Sequence, residues 1–172
     1  PAVSNCRTGY DGCIDDHFRY AYDLGKIDFL GTSDHTDIGK IYHPYEWWHN
    51  QRMHDALHSP GEFNTVYVYE REQRWPWGHR NIVFAQRDGP IVYIKRSFYL
   101  NSPWQKTLPV DPKGTAEISP YELWDLLKQY GKPVAALSHT GATGMGTDWK
   151  IYEKFDYSSE NVVEIYQGAR VS

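Results

Sequence analysis

The segment GTSDHTD, residues 31–37, places a histidine between two aspartates directly after the apolar run IDFL. Three other segments repeat this pattern, in which ionisable side chains follow or flank an apolar stretch. They are VYE, which ends at Glu70, GHRN around His79, and LSH, which ends at His139. Imidazole and carboxylate groups together form the mixed nitrogen and oxygen donor set that zinc, manganese and iron accept. The recurrence predicts a metal site built from these segments.

Helices are predicted where the apolar spacing is helical and where capping residues mark the ends. The expected helices are 15–24 with Gly25 as its stop, 44–58 with Pro44 at its start, and 119–131 between a Ser119 N-cap and a Gly131 stop. Runs rich in valine, isoleucine and tyrosine predict strands at 27–30, 64–70, 81–85, 91–100, 133–139 and 161–167. This order indicates an α/β domain with a largely parallel sheet.

In a parallel sheet, the carboxyl ends of the strands meet at one rim, where active sites gather. We therefore expect Asp34, His35, Glu70 and His139 at that rim, with His79 folding back onto it. Each residue also has an ordinary alternative. Asp34 can serve as a helix N-cap or Asx-turn residue, and Glu70 can pair with a neighbouring arginine. We expect the other histidines on solvated helix faces: His17, His43, His49, His54 and His58.

Composition limits the class of protein. The 172 residues fit one domain, 1–172, and the formal net charge of -4 leaves no basic footprint for nucleic acid. No apolar run is long enough to cross a membrane. The two cysteines, Cys6 and Cys13, are compatible with free thiols or with a single bridge. The sequence does not decide between a cytoplasmic and a periplasmic location.

The ordered motifs resemble a known superfamily. IDFLGTSDH resembles the second motif of the polymerase and histidinol phosphatase (PHP) superfamily, in which a buried strand ends in an Asp-His pair. The series VYE, GHRN, LSHTG and VVEIYQG is similar, more narrowly, to a PHP-related bacterial family of uncharacterised function (DUF3604). The resemblance extends from about residue 4 to residue 172.

This resemblance implies a distorted (β/α)7 TIM-like barrel that holds two or three divalent ions, zinc, manganese or iron, at its C-terminal rim. His35, Glu70, His79 and His139 match ligand positions, and Glu70 would bridge two ions. Asp34 would orient His35 through the second ring nitrogen. Arg80 would contact an anionic substrate or hold its own loop.

The chain also departs from the PHP pattern. It lacks the N-terminal His-x-His pair and the Asp-x-His pair near the C-terminus of that superfamily. We expect the chain to be a fragment truncated at both ends; the alternative is an inactive relative.

These observations predict a metal-dependent hydrolase of a small phosphoester that uses a metal-activated water. Two alternatives stay open. One is a non-catalytic binding module with an aromatic cleft, because the chain has 7 Trp and 14 Tyr, some of them in EWW and RWPWGH. The other is a metal-dependent hydrolase of an amide or glycosidic bond, since the same metal chemistry serves several leaving groups.

Overall fold

The computed structural model describes residues 14–36, 44–73, 75–91, 120–139, 141, 146–150, 160, 162–167 and 170–171. Both cysteines, Asp37, the Ser119 cap and all but the first residue of the expected strand 91–100 lie outside the described residues.

The three predicted helices are confirmed in place. They are α1, Ile14–Arg19, which continues as a π-helical segment, Tyr20–Gly25, then α2, Pro44–Leu57, and α3, Pro120–Tyr130. Gly131 follows α3 with a φ of 66°, the left-handed conformation expected of a glycine stop. After the first helix this conformation falls on Lys26 and not on Gly25. No described helix has both the length and the apolar character that crossing a bilayer requires.

The described strands form one five-stranded sheet and two sheets of two strands. They are β1 (Phe29–Leu30), β2 (Asp34–His35), β3 (Asn64–Thr65), β4 (Tyr67–Arg71), β5 (Arg80–Phe84), β6 (Val134–Ser138), β7 (Val162–Val163), β8 (Tyr166–Gln167) and β9 (Arg170–Val171). The larger sheet has the order β2-β4-β5-β6-β7. The smaller sheets pair β1 with β3 and β8 with β9.

The prediction of a (β/α)7 barrel with a mostly parallel sheet is wrong for the described part of the chain. In the larger sheet, β2–β4 and β6–β7 are parallel pairs, but β4–β5 and β5–β6 are antiparallel. The connection from β4 to β5, residues 72–79, is shorter than the roughly dozen residues that a parallel crossover needs. The chain therefore turns back on itself, and the sheet is mixed.

One face of the larger sheet forms the main core with α2 and α3. Its buried members are Trp47, Tyr69, Ile82, Phe84, Leu123, Leu127 and Ala136. The indole of Trp47 packs edge-on against Tyr69, with ring centroids 5.4 Å apart. The expectation that residues 27–30 form a buried strand is wrong for two positions, since Ile27 and Phe29 are 43% and 65% exposed.

The expectation that His54 lies on a solvated helix face is also wrong, because its side chain is fully buried. The backbone N–H of Thr32 donates to Nε2 at 3.3 Å, so Nδ1 carries the proton that is donated to the Asn50 carbonyl at 2.8 Å. Phe18 packs edge-on against the ring at 4.8 Å. Burial lowers the pKa of His54, against smaller opposing effects of the Asn50 carbonyl and Asp55. A neutral His54 thus joins α2 to the loop before β2.

Acidification should destabilise the fold through His54. Below about pH 6.5 the unfolded chain binds a proton that the folded chain rejects, so the free energy of unfolding falls as the pH drops. The slope for one such group is at most about 1.4 kcal/mol per pH unit. Urea unfolding at about pH 7.5 and about pH 5.5 should show a smaller loss of stability for His54→Gln than for the wild type. A His49→Gln variant, in which an exposed imidazole of the same helix is removed, is the control. An equal reduction in that control would contradict the assignment.

Candidate metal centre

The register of the larger sheet brings the predicted ligand segments together at one end of its strands. His35 pairs with Glu70 across β2 and β4, and the two ends run in the same direction. Because β5 is antiparallel to its neighbours, the N-terminal end of β5 lies beside the C-terminal ends of β4 and β6. His79 immediately precedes β5 and His139 immediately follows β6, and the His139 N–H donates to the His79 carbonyl at 3.0 Å. The site therefore forms without a parallel sheet.

Glu70 is the centre of the cluster. Its Oε1 lies 2.9 Å from Nδ1 of His79 and 2.9 Å from Nε2 of His139. Its Oε2 lies 3.5 Å from Nε2 of His35. Burial raises the pKa of Glu70, but the hydrogen bonds from His139 and His79 and the nearby His35 outweigh it, so the pKa is held well below its ordinary value. The carboxylate is ionised at neutral pH.

Two further carboxylates lie behind the imidazoles, and sequence reasoning did not assign either. Glu164 contacts Nδ1 of His139, and Glu72 contacts Nδ1 of His35. Burial lowers the pKa of His139, but the hydrogen bonds with Glu70 and Glu164 outweigh it and the pKa is raised. Both acids left a signal in the sequence. Glu72 lies two residues after Glu70, a spacing typical of one strand face, and Glu164 follows the apolar pair of β7.

The side chains form two overlapping groups of possible ligands. One is Glu70, His79 and His139, and the other is His35, Glu70 and Glu72; within each group the candidate ligand atoms lie within 4.8 Å of one another. Nitrogen and carboxylate donors suit zinc, manganese or iron. A carboxylate behind an imidazole is the usual support of a metal-bound histidine. The residues therefore fit a divalent ion, and Glu70 belongs to both groups.

The carboxylate of Asp34 contacts α2. Its Oδ2 accepts a hydrogen bond from Nδ2 of Asn50 at 3.1 Å, and the same nitrogen donates to Thr32 Oγ1 at 2.9 Å. The carboxylate at the second ring nitrogen of His35 belongs to Glu72 instead. Asp34 thus fastens the end of β2 to α2.

Arg80 is inaccessible to a substrate in this structure. Its side chain is fully buried and pairs with Glu160, whose side chain is also fully buried. Its Nη1 donates to the carbonyl oxygens of Trp77 and Gly78. Of the two roles considered for Arg80, the structure supports the one in which it holds its own loop.

The loop that carries His79 packs against the segment 146–148. The Asp148 N–H donates to the Pro76 carbonyl at 2.8 Å, and Thr147 Oγ1 donates to the Trp77 carbonyl at 3.2 Å. Gly78 has a φ of 70°, and a Cβ at this position would lie 2.6 Å from the backbone of Gly146 and would overlap Thr147. Only glycine allows this approach.

Gly78→Ala should therefore destabilise the protein and displace His79. The left-handed φ and the steric overlap together should lower the free energy of unfolding by about 1–3 kcal/mol, measured by urea denaturation. Gly61→Ala is the matched control, because Gly61 has a φ of 84° but nothing within 4 Å of the added Cβ. If both variants lose the same stability, the overlap with residues 146 and 147 contributes nothing.

A concave surface elsewhere in the structure lacks this chemistry. It is an open cleft between the first helical segment and the turn after α2, lined by Phe18, Arg19, Tyr22, Asp23, Leu57, Ser59, Glu62 and Phe63. It includes no residue of the cluster around Glu70. Its lining joins aromatic and aliphatic groups to scattered charges, without convergent metal donors.

Comparison of the chain with protein-family models, with curated proteins and with solved structures gave no match. The resemblance to the PHP superfamily thus stays a prediction from the quoted motifs. The case for a metal centre depends on the geometry around Glu70.

Proposed function

We propose that this protein is a metal-dependent hydrolase that acts on small phosphoesters. The observation that carries the proposal is the arrangement around Glu70, in which both oxygens of one ionised carboxylate face imidazole nitrogens. A structural ion pair needs one cation for one carboxylate. Three histidines come from three separate segments, and His139 is hydrogen-bonded to Glu164, a carboxylate outside both donor groups. This arrangement matches the donor set of a metal centre.

The three histidines differ in their exposure to solvent, and this difference suggests different roles for them. His79 and His139 have side chains that are 10% and 8% exposed, so they supply fixed donors in an enclosed position. His35 is 41% exposed and marks the open side, where a substrate and water can approach. Divalent ions held there would polarise a phosphoryl oxygen and lower the pKa of a bound water.

The distribution of positive charge supports a role for metal ions with an anionic substrate. Among the described residues, the arginines adjacent to ligand segments are Arg71 and Arg80, and both are fully buried. Neither can neutralise a phosphate at the open side near His35. Ions bound at the two overlapping donor groups would provide that charge.

The motifs that resemble the PHP superfamily contain the same four residues, His35, Glu70, His79 and His139, so the resemblance supports the phosphoester substrate. The barrel that it implied does not form in the described residues. The proposal therefore uses the resemblance for the ligand set and the substrate class only.

Removal of single histidines tests the metal site and the reaction together. After incubation with zinc or manganese and desalting, the wild type should retain metal by elemental analysis. His139→Ala should lose most of this metal, because the change removes one nitrogen donor and the hydrogen bond that holds Oε1 of Glu70. His58→Ala, in which an exposed imidazole outside the cluster is removed, should retain the wild-type content. The loaded wild type should hydrolyse p-nitrophenyl phosphate or bis-p-nitrophenyl phosphate in preference to matched anilide and glycoside substrates.

Two results would contradict the proposal. Metal content near zero in folded wild-type protein would exclude the metal centre. Hydrolysis of the anilide or the glycoside alone would leave the metal centre standing and exclude the phosphoester.

Glu164 should tune the affinity of the site without binding the ion itself. Glu164→Gln replaces the carboxylate behind His139 Nδ1 with a neutral amide, which supports the imidazole less well. Loss of such a supporting group typically lowers metal affinity about 10–100-fold. Competition with a chromophoric chelator measures this constant. Glu62→Gln, which alters an exposed carboxylate hydrogen-bonded to Tyr22 and Ser59, is the control. An equal loss of metal affinity in this control would show that the effect comes from net charge alone.

A further inference from the structure

A buried ion pair lies behind the candidate metal centre. Nε of Arg80 lies 2.9 and 3.0 Å from the two carboxylate oxygens of Glu160, and neither side chain is exposed. The indole Nε1 of Trp124, on α3, donates to Glu160 Oε2 at 2.6 Å. The guanidinium carbon of Arg80 lies 5.8 Å from the centre of the Trp124 ring. We call these three residues the Arg80 unit.

The Arg80 unit occupies the core face of the sheet, opposite the metal centre. Side chains alternate along a strand, so Arg80 shares its face with Ile82, which belongs to the main core. Ile82 pairs with Tyr69 of the same core, and Glu70, the next residue, therefore points to the other face. The unit cannot contact a substrate at the cluster.

Arg80 nevertheless holds the backbone that leads into His79. It follows His79 directly in the chain, and its Nη1 donates to the carbonyl of Gly78 at 3.1 Å and to that of Trp77. Because these carbonyls belong to the two residues before His79, the guanidinium fixes the direction in which the imidazole leaves the backbone.

Glu160 connects the same unit to the other side of the cluster. It lies four residues before Glu164, with β7 between them. The Glu164 N–H donates to the Ser138 carbonyl at 3.1 Å, and the Glu164 side chain contacts His139. One ion pair thus joins the segment that carries His79 to the segment that supports His139.

We propose that the Arg80 unit positions the metal ligands: it sets the geometry of His79 and His139 from the opposite face of the sheet. A buried ion pair contributes little net stability, because desolvation offsets the attraction, but it accepts only a narrow geometry. The proposal rests on the proposed function in one respect, since it requires that the cluster bind a metal ion. Arg80, Glu160 and Trp124 are positioning residues, not ligands.

Cobalt(II) binding tests this role, because the visible absorption of the ion reports the arrangement of its ligands as well as its affinity. Trp124→Phe keeps an aromatic side chain but removes the indole N–H that donates to Glu160, together with part of the ring system. Glu160→Gln keeps the shape and removes the charge. Leu127→Val, a change at a buried core position of the same helix, is the control for destabilisation alone. Unfolding midpoints establish that each variant is folded.

We expect Glu160→Gln to bind cobalt about tenfold more weakly than the wild type, at the lower end of the range for supporting residues. Trp124→Phe should show a smaller loss, and both variants should have altered cobalt spectra. Leu127→Val should retain the wild-type affinity and spectrum.

Unchanged affinity and spectrum in folded Glu160→Gln and Trp124→Phe, beside a wild type that binds cobalt, would overturn the positioning role and leave the proposed function intact. Equal effects in Leu127→Val would overturn it as well. A wild type that binds no cobalt would overturn both proposals.

Discussion

The ionised carboxylate of Glu70 is the constraint on which the arrangement around the sheet edge depends. Its side chain is only 12% exposed, and an enclosed carboxylate is strongly unfavourable unless it is paired and hydrogen-bonded. Imidazoles from three distant segments meet this requirement. Each imidazole has one ring nitrogen directed towards Glu70. This arrangement requires the observed register of β2, β4, β5 and β6 and the observed direction of the chain before β5. The same requirement brings imidazole and carboxylate groups together at one place.

Support for this cluster comes in layers. Glu164 and Glu72 contact the outer nitrogens of His139 and His35, so these two rings are held between carboxylates. Farther out, Asn50 fastens the end of β2, and the Arg80–Glu160 pair fastens the segments on the other side. Each layer limits the rotation or displacement of the layer inside it.

The four predicted ligand residues lie close together in the structure, although the prediction of the sheet was wrong. The expectation placed His79 at the rim by folding it back after Glu70. In an antiparallel hairpin the beginning of β5 necessarily lies beside the end of β4, so the position follows from the hairpin itself. The connection between β4 and β5 is short enough to indicate an antiparallel pair. The alternation of helices and strands elsewhere in the sequence favoured a parallel sheet instead.

The sequence by itself determined the helices and the identity of the candidate ligands. Capping residues, glycine stops and apolar spacing act over a few neighbouring positions, and histidines or acids beside apolar strands can be recognised without partners. Strand direction, the burial of His54 and the carboxylates behind the imidazoles were decided only by the tertiary structure. Glu70 and His139 are 69 residues apart, and Arg80 and Glu160 are 80 apart. No local pattern specifies which side chains meet across such distances, because that choice depends on the packing of the whole sheet against its helices.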